Sequence, residues 1–575
     1  MGRRALLVYP EMPPTYWSMK YALPFIHRRA SLPPLGLLTV AAMLPRDYEL
    51  TLVDLNVEPL SDERLALADL VFSSSMLIQK HSLQGLIQRC HEHGVTHVAG
   101  GPYPTVCHQH IEGVDHFVLN EAEITLPPFL EDLAQGKAAK VYTDSARPEL
   151  SQTPPPRFDL LRPSCYASLA LQFSRGCPHH CEFCDIVELF GHRPRTKTPA
   201  QFVNELDLLY RQGERGPLFV VDDNFIGNRS EVKALLPQVA EWQRARNFPF
   251  GLYTEATLNL AEDEALMAGM VEAGFNMVFL GLETPDCATL AAVGKPQNLK
   301  SDMLGAVRRI QARGMEISAG FILGFDSDSE DIFERQVRFI QEAAIPTAMV
   351  GLLTALPNTR LAQRLEAEGR LLGESAGGNT HDLRLNFIPR MELGKLLAGY
   401  KRVLSEVYNP ARYFARCLAL LRTLKTHPAS FRPFKVSESS ALFRSLLVQG
   451  FSSYAWTFWK FLLKGLYGNP MRIADLVTMA VKGHHYFRMT RNMLEVDRFK
   501  LNLEELARAF EERARAFSGS EGRERLLELT RYRGRIVVRV RKRYRKIHRD
   551  FRIYADQSIA RLEARLDGTL ARLSF

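Results

Sequence analysis

The chain has 575 residues, of which 46% are hydrophobic and 24% charged, and it carries a net charge of +9 at neutral pH. This composition is typical of a globular protein with a large core, and the length is enough for about four domains. Eight cysteines in such a length exclude a disulfide framework, and no apolar run is long enough to cross a membrane. The early polar residues predict no secretory signal, so we expect a cytoplasmic protein.

Residues 1–150 alternate short apolar runs with segments of helical periodicity. Alternating βα units of this length predict a doubly wound parallel sheet, with ligands at the carboxyl ends of its strands. The turn at residues 100–105 lies at such an end, and its glycines let a ligand approach the backbone closely. The strands are predicted at residues 5–9, 49–55, 70–74, 96–99 and 116–119, and the helices at residues 35–44, 82–93 and 124–133.

Residues 151–165 form a proline-rich and therefore stiff linker, after which residues 166–372 alternate again. Six successive βα units are present, and barrels built from such units carry their chemistry at the carboxyl ends of the strands. The strands are predicted at residues 170–173, 218–221, 251–255, 277–280, 316–323 and 348–352, and the helices at residues 199–211, 230–246, 263–273, 300–313 and 329–343.

Residues 373–515 are mainly helical, and the stretch 444–467 is unusually aromatic. Lys460 and Lys464 make this stretch a poor transmembrane candidate. We favour a buried helix, while an interfacial helix that lies on a membrane, or opens a path for an apolar substrate, is the alternative. The tail, residues 516–575, is basic: from Arg531 to Asp550 there are ten cations and one acid. Such a segment attracts anionic lipid or nucleic acid, or it is simply a solvated helix or a disordered tail.

Three cysteines, Cys177, Cys181 and Cys184, lie within eight residues just after the first strand of the second alternating region. Clustered thiolates select iron–sulfur clusters or zinc. A [4Fe–4S] cluster normally takes four cysteines, so three would leave one iron open to an outside ligand. A structural zinc site wants four closed ligands, and the nearest fourth candidates, His179 and His180, lie inside the short loop. We therefore favour the iron–sulfur cluster.

The spacing C-x-x-x-C-x-aromatic-C resembles the signature of the radical S-adenosylmethionine (SAM) superfamily, and the six βα units match the partial (β/α)6 barrel of its core. The resemblance implies that the three cysteines hold a [4Fe–4S] cluster, that its open iron binds SAM, and that Phe183 packs near the adenine. An electron from the cluster, which an external donor replenishes, would then cleave SAM to methionine and a 5′-deoxyadenosyl radical.

Relatives of this kind contact SAM from the ends of successive strands. Each polar residue there is also compatible with a helix cap, but their recurrence at successive strand ends favours a cofactor site. The matching residues are Asp222, Asp223, Asn224, Glu255, Gly281, Glu283, Gly320 and Gly324.

Residues 1–150 resemble the cobalamin-binding domain that precedes many radical SAM cores. The motif D-x-H-x-x-G is absent from the sequence, which implies that cobalamin would be held without a protein histidine on cobalt. A flavodoxin-like sheet without a cofactor is the alternative. The candidate contacts are Ser74, Met76, Gln79, Gly100, Gly101, Asn120 and Glu121.

The runs 31–45, 221–228 and 347–353 resemble the subgroup that contains the hopanoid C-2 methylases. The resemblance implies a cobalamin-dependent C-methyltransferase that methylates an unactivated carbon of a lipid-like or small-molecule substrate. One alternative is rearrangement, cyclisation or carbon–carbon coupling without methyl transfer. RNA modification is less favoured, because RNA methylthiolases carry three further cysteines in their N-terminal domain and only Cys90 and Cys107 stand here. A cobalamin sensor would leave the cysteine loop unexplained.

We therefore predict an α/β protein with a cobalamin-binding-like domain (1–150), a linker (151–165), a radical SAM barrel (166–372), a helical domain (373–515) and a basic tail (516–575). The expected partners are the substrate, a one-electron donor and an anionic membrane surface, with nucleic acid the less favoured partner. The expected location is the cytoplasm or the inner face of the membrane.

Overall fold

The computed structural model describes residues 2–299, 302–373, 375, 377, 383–425, 436–516 and 522–572. The chain forms two compact units, Met1–His485 and Tyr486–Phe575. The first unit contains two six-stranded parallel sheets followed by helices, and the described part of the second is helical. This architecture agrees with the predicted α/β class. None of the helices in the described stretches combines the length and the apolar composition needed to cross a bilayer.

The first sheet is parallel and has the strand order β2-β1-β3-β4-β5-β6. Neighbouring residues of its strands bury on opposite faces, since Leu7 and Phe72 enter one core whereas Val8 and Val71 enter another. The order changes direction at β1, which places a crevice at the carboxyl ends of β1 and β3. The elements are β1 (Arg4–Tyr9), α1 (Leu35–Met43), β2 (Glu49–Asp54), α2 (Asp62–Ala66), β3 (Leu70–Ser74), α3 (Lys80–Glu92), β4 (Thr96–Gly100), α4 (Pro102–Cys107), β5 (His116–Val118), α5 (Ala122–Ala134) and β6 (Val141–Tyr142).

The second sheet has the order β7-β10-β11-β12-β13-β14, so the first and last of its strands in the chain form its edges, as in a partial barrel. The short ribbon β8–β9 flanks the cysteine loop. The strands are β7 (Leu169–Leu171), β8 (Ser174–Arg175), β9 (Arg195–Thr196), β10 (Gly216–Val220), β11 (Phe250–Ala256), β12 (Phe275–Glu283), β13 (Glu316–Leu323) and β14 (Thr347–Leu352). The helices are α6 (Ile186–Phe190), α7 (Pro199–Arg211), α8 (Arg229–Ala245), α9 (Glu264–Glu272), α10 (Cys287–Ala292), α11 (Met303–Ala312), α12 (Ile332–Glu342) and α13 (Arg360–Ala367).

In the described residues, a group of helices follows the barrel, and the last helix of this group has residues in both units. The aromatic stretch 444–467 is divided between two of these helices, and Trp456 and Tyr467 are exposed. The interpretation of this stretch as one buried helix is therefore wrong. The helices are α14 (Leu393–Val407), α15 (Pro410–Thr423), α16 (Val436–Gly450), α17 (Ala455–Gly468) and α18 (Ile473–Arg515).

The second unit contains the end of α18 with α19 (Gly522–Tyr544) and α20 (Ile553–Ala571), so the basic segment is a folded helix. Acids of α20 compensate part of its charge: Arg533 Nε lies 2.5 Å from Asp567 Oδ1, and Arg541 lies 3.9 Å from Glu563. Other cations of α19, including Arg531, remain exposed to solvent.

Candidate active site

The loop that carries the three cysteines leaves the carboxyl end of β7 and is fixed by its own backbone. Gly176 has a φ of +96°, and a Cβ there would lie 2.9 Å from the carbonyl oxygens of Gly191 and Arg193. Glycine is therefore required directly before the first cysteine. The Cys177 N–H donates to the Gly191 carbonyl at 3.2 Å, and the Cys184 N–H to the Cys181 carbonyl, also at 3.2 Å. These bonds close the loop into a compact turn.

The start of the loop is anchored by Asp222, which follows β10. Its Oδ1 accepts a hydrogen bond from the Phe173 N–H at 2.7 Å, and its Oδ2 accepts from the Ser174 N–H at 2.7 Å and the Ser174 hydroxyl at 2.6 Å. Asp222 is fully buried. These three bonds fix the backbone directly before the cysteine loop, so the structure gives this carboxylate a role in positioning the cysteines. Contact with SAM stays a prediction.

Two buried amides face the thiols. Asn224 Nδ2 lies 3.8 Å from Cys177 Sγ, and Gln297 Nε2 lies 3.7 Å from Cys181 Sγ. Burial raises the pKa of all three thiols, and their mutual charges add to the effect at Cys184. Within the described residues the amide oxygens Asn224 Oδ1 and Gln297 Oε1 are buried without a hydrogen-bond partner. Such orphaned atoms mark a place where another group belongs.

The spacing of the thiols bears on the choice between a cluster and a single ion. Across the part of the chain that the structure describes, no three His, Cys, Asp or Glu side chains converge closely enough to hold one metal ion. The ligands of a mononuclear zinc site lie about 4 Å apart, because each is about 2.3 Å from the ion. In a cubane each cysteine binds a different iron, so the thiols are spaced more widely. Three thiols are one fewer than the ligands of a closed structural zinc site, so this donor set fits a [4Fe–4S] cluster with one open iron.

Three acids stand at or just after the carboxyl ends of successive strands: Asp223, Glu255 and Glu283. Burial raises the pKa of Glu255 to about 8, and the charges of Asp223 and Glu283 raise it further. Burial likewise raises the pKa of Asp223 to about 7, with Asp222 and Asp185 adding to it. Glu255 therefore lies within electrostatic range of both Asp223 and Glu283, and a role of the three acids in binding SAM stays a prediction.

Lys295 brings a positive charge to this group. Lys295 forms an ion pair with Glu283, and its Nζ lies 5.9 Å from the centre of the Phe183 ring. A Cβ at Gly281 would lie 2.5 Å from Glu283 Oε1 and 2.6 Å from Lys295 Nζ, so only glycine leaves room for the pair. Glu283 itself has a φ of +62° at a bulge between β12 and β13, a strained conformation of the kind found at functional sites.

The two remaining predicted glycines lie on and just after β13. A Cβ at Gly320 would come within 3.1 Å of the Phe279 ring, so this glycine keeps the lumen open. Gly324 has a φ of +101°, and its N–H donates to Asp328 Oδ2 at 2.8 Å. Gly324 therefore shapes the end of the strand.

Aromatic residues share the sheet face of Glu255 and Gly281, because Tyr253 and Phe279 each stand two residues earlier on the same strand. Trp17, from the loop after β1, packs edge-on against Phe279 with ring centres 5.0 Å apart. Phe219 and Tyr253 stack at 4.8 Å on the neighbouring strands. Sequence analysis missed Trp17 because it lies in the first domain, far from the barrel in the chain.

The carboxyl edge of the first sheet brings several predicted cobalamin contacts together. A Cβ at Gly101, which has a φ of +89°, would collide with Ser74 Oγ, and one at Gly100 would lie 2.7 Å from the Val118 carbonyl. The hydroxyl of the adjacent Ser75 is buried and, among the described residues, has no hydrogen-bond partner. Exposed Met76 belongs to the same loop. This edge has the close backbone approach and the unsatisfied polar atom expected of a ligand cradle.

Gln79 and Asn120, two further predicted contacts, bond to their own domain. Gln79 accepts from the Met76 N–H at 2.8 Å and donates to the Pro10 carbonyl at 2.5 Å. Asn120 Nδ2 donates to Thr143 and Asp144 at 3.0 Å each. Both side chains therefore shape the edge, and a direct ligand contact from either stays a prediction.

Glu121 joins the first sheet to the cysteine loop. Its carboxylate is buried and binds Arg175 at 2.8 Å and Arg195 at 2.7 Å, the two residues that flank the loop on β8 and β9. Both arginines are also nearly buried, so the three charges form a paired buried clamp. The predicted cobalamin contact at Glu121 is thus engaged in holding the two domains together.

Two residues near the thiols, Lys295 and Gln297, were not predicted from the sequence. The signal for them is the run 294–298, Gly-Lys-Pro-Gln-Asn, which follows the helix after β12. A turn of glycine, proline and polar residues near the carboxyl end of a barrel strand is where such sites form.

Comparison with known proteins identifies the family. The family model described as the radical SAM superfamily matches residues 171–340, and a domain of unknown function (DUF4070) matches residues 359–498. An uncharacterized methyltransferase of Synechocystis sp. is 40% identical, with 84% of this chain and 91% of that protein covered. The hopanoid C-2 methylase of Rhodopseudomonas palustris is 33% identical, with 84% and 93% covered.

A solved structure shares the whole fold. The cobalamin-dependent S-adenosylmethionine radical enzyme OxsB, with aqua-cobalamin and S-adenosylmethionine bound, matches with a TM-score of 0.57 over 95% of this chain and 84% of its own, at 14% identity. The likeness confirms the predicted fold class. With its two methyltransferase relatives matching over more than four fifths of its length, the chain is a radical SAM enzyme and belongs to the methyltransferase family that includes the hopanoid C-2 methylase.

Proposed function

We propose that this protein is a cobalamin-dependent radical SAM C-methyltransferase that methylates an unactivated carbon of a lipid-like or small-molecule substrate. The observation that carries the proposal is that the carboxyl edges of the two parallel sheets meet. Glu121, after β5, binds Arg175 beside the cysteine loop, and Trp17, after β1, contacts Phe279 inside the barrel. A group held on the first sheet would therefore face a group held in the barrel.

The bound groups would divide the chemistry between them. When bound, the cluster supplies the electron that cleaves SAM and cobalamin supplies the methyl group, which together allow methylation of a carbon that has no acidic proton. Cys177, Cys181 and Cys184 would hold the cluster, with Asn224 and Gln297 donating hydrogen bonds to two of the sulfurs. Such bonds from outside the ligand set orient ligands and tune their electronics.

The acidic layer suits SAM, which carries an ammonium and a sulfonium. We assign Asp223, Glu255 and the Glu283–Lys295 pair to the binding of its polar groups, and Phe183 to the adenine. Gly281 and Gly320 keep space beside them, and Gly324 shapes the strand end. On the first sheet, the proposed cobalamin contacts are Ser74, Met76, Gly100 and Gly101, with Gln79 and Asn120 supporting the loops and Glu121 fixing the domain.

The lining of the lumen supports an apolar substrate. Trp17, Phe219, Tyr253 and Phe279 offer aromatic surface without charge, which favours a lipid-like or aromatic small molecule over nucleic acid. The name of the Rhodopseudomonas relative, a hopanoid methylase, agrees with this substrate class. A protein that meets such substrates is expected in the cytoplasm or at the inner face of the membrane, with a one-electron donor as partner.

Anaerobic reconstitution of the full chain with iron, sulfide and hydroxocobalamin tests the cofactors. The optical spectrum should show both the cluster and the corrin bands. The protein is then incubated with SAM carrying a trideuterated methyl group, a chemical reductant and a total bacterial lipid extract. A product three mass units heavier than the one formed from ordinary SAM supports the proposal. An unlabelled but altered product would favour rearrangement or ring formation, and absence of corrin from reconstituted protein would refute cobalamin dependence.

A further inference from the structure

The turn between α16 and α17 and the outer faces of both helices expose large apolar side chains. We call this set the apolar ridge. Its exposed fractions are far above those of ordinary core-forming residues, and a concentration of exposed large apolar side chains on one helix pair points to an interaction site. The ridge consists of Phe443 (63% exposed), Leu447, Val448, Phe451 (85%), Trp456 (80%), Leu463 (66%) and Tyr467 (95%).

The ridge follows the helical repeat of α17. Trp456, Trp459, Leu463 and Tyr467 stand three, four and four residues apart, so they share one face of the helix. Lys460 and Lys464 each follow an exposed apolar residue by one position and border this face. The opposite face is apolar too, but it is buried: Phe458, Phe461, Leu462 and Gly465 pack inward. The helix is therefore apolar on a second side that the folded unit leaves uncovered.

The two helices hold the ridge rigidly. Trp459 Nε1 donates to the Gly450 carbonyl at 3.2 Å, which joins α17 to the end of α16. Phe461 stacks on Phe414 of α15 with ring centres 4.5 Å apart. The exposed side chains are thus presented by a packed helix pair and keep a fixed spacing.

We propose that the apolar ridge docks on an anionic lipid bilayer. Tryptophan and tyrosine with flanking lysines are the composition of membrane–water interfaces, where the rings enter the headgroup region and the ammonium groups meet anionic lipid. The segment 436–468 carries three cations, Arg444, Lys460 and Lys464, against one acid, Glu438. This charge complements an anionic surface. In a symmetric contact with a second copy, Lys460 and Lys464 would approach their own counterparts, which is unfavourable.

The segment 17–25, which follows β1, contacts both the ridge helix α16 and the barrel. Ala441 of α16 packs with Ala22 and Phe25, and Arg444 donates to the Pro24 carbonyl at 2.5 Å. The same segment carries Trp17 to its contact with Phe279 in the lumen. Docking would therefore bring the bilayer close to a loop that lines the substrate space. This last step rests on the proposed function, whereas membrane docking itself does not.

The experiment uses the full chain and vesicles of phosphatidylglycerol and phosphatidylcholine, with vesicles of phosphatidylcholine alone for comparison. We expect co-sedimentation with the anionic vesicles and quenching of tryptophan fluorescence by brominated lipid. The double variant Trp456→Ser, Tyr467→Ser should bind at least about tenfold more weakly and lose most of the quenching, because each ring contributes apolar burial. Leu67→Ser, which removes a 57% exposed leucine outside the ridge, is the matched control and should bind like the parent protein.

Equal binding of the double variant and the Leu67→Ser control would overturn the proposal. A second result would also overturn it. If sedimentation velocity shows a dimer of the parent protein, and the double variant dissociates this dimer without changing vesicle binding, then the partner of the ridge is a second copy of the chain. If circular dichroism shows that the double variant is unstable, the variant Lys460→Glu, Lys464→Glu provides the second test. It should lose binding to the anionic vesicles. These measurements need no cofactor or turnover, so their failure is distinguishable from failure of the proposed methyl transfer.

Discussion

Replacement of Glu255 by glutamine tests the electrostatics of the lumen. Glu255 shares its surroundings with Asp223 and Glu283, and burial together with these charges raises its pKa from 4.5 to about 8. Below about pH 4.5 the carboxyl is protonated in both the folded and the unfolded chain and costs nothing. As the pH rises towards 8, the unfolded chain loses this proton and the folded protein keeps it, so stability falls. Glutamine removes this dependence.

The size of the effect follows from the shift. Each pH unit between 4.5 and 8 costs about 1.4 kcal/mol, so the cost of Glu255 reaches about 3 kcal/mol at pH 7. This is an upper limit, because water in the open lumen screens the charges. The unfolding entropy is about 2.1 cal/mol/K per residue. If the unit Met1–His485 unfolds cooperatively, a stability change of this size shifts Tm by about 3 °C.

Thermal unfolding of cofactor-free protein at pH 5 and pH 8 measures the prediction. Glu255→Gln should lie within about 1 °C of the parent protein at pH 5 and unfold about 4 °C higher at pH 8, where the further pH unit brings the cost to about 4 kcal/mol. Glu272→Gln, which alters an exposed glutamate at the end of α9, is the control and should change little at either pH. An unchanged or lower Tm at pH 8, with the control behaving as expected, would refute the reasoning that Glu255 is held protonated by its surroundings.

Three other variants test the site. Cys181→Ala should abolish cluster absorbance and deoxyadenosine formation from SAM, whereas the exposed Cys287→Ala should retain both; retention of both by the first variant would disprove the ligand assignment. Glu121→Ala should lower stability by about 3–5 kcal/mol, because it leaves the buried Arg195 guanidinium without its carboxylate while Arg175 keeps Glu123 at 2.9 Å, and a Tm equal to that of the parent would count against the clamp. Gly281→Ala should weaken SAM binding at least about tenfold in equilibrium dialysis, with little change in Tm, because its Cβ displaces Glu283; unchanged affinity would remove Glu283 from the SAM site.

Local signals determined how well the elements could be predicted. The predicted bounds of the helix at 199–211 match the structure because Thr198 and Gln201 form a capping box around Pro199. The strand predicted at 316–323 also matches. The aromatic stretch 444–467 misled because apolar periodicity continues across Phe451, although the chain turns there. When both faces of a helix are apolar, the sequence pattern does not show which face is buried and which is exposed.

The same contrast holds within the site. The cysteines were identified because their spacing is local, and the acids at the strand ends because parallel strands share one edge. The anchoring role of Asp222 depends on Phe173 and Ser174, almost fifty residues earlier, and the role of Glu121 depends on arginines of another domain. Contacts at such separations leave no periodic mark in a sequence. Their discovery requires the tertiary structure.

The charge clamp at Glu121 also limits how this enzyme can be dissected. A barrel expressed without residues 1–150 would keep Arg175 and Arg195 beside its cysteine loop but would lose the carboxylate that neutralises them. Such a fragment would carry two uncompensated cations where its metallocentre should assemble. The smallest functional module of this enzyme therefore begins upstream of the barrel, and fragment engineering should preserve both sheets.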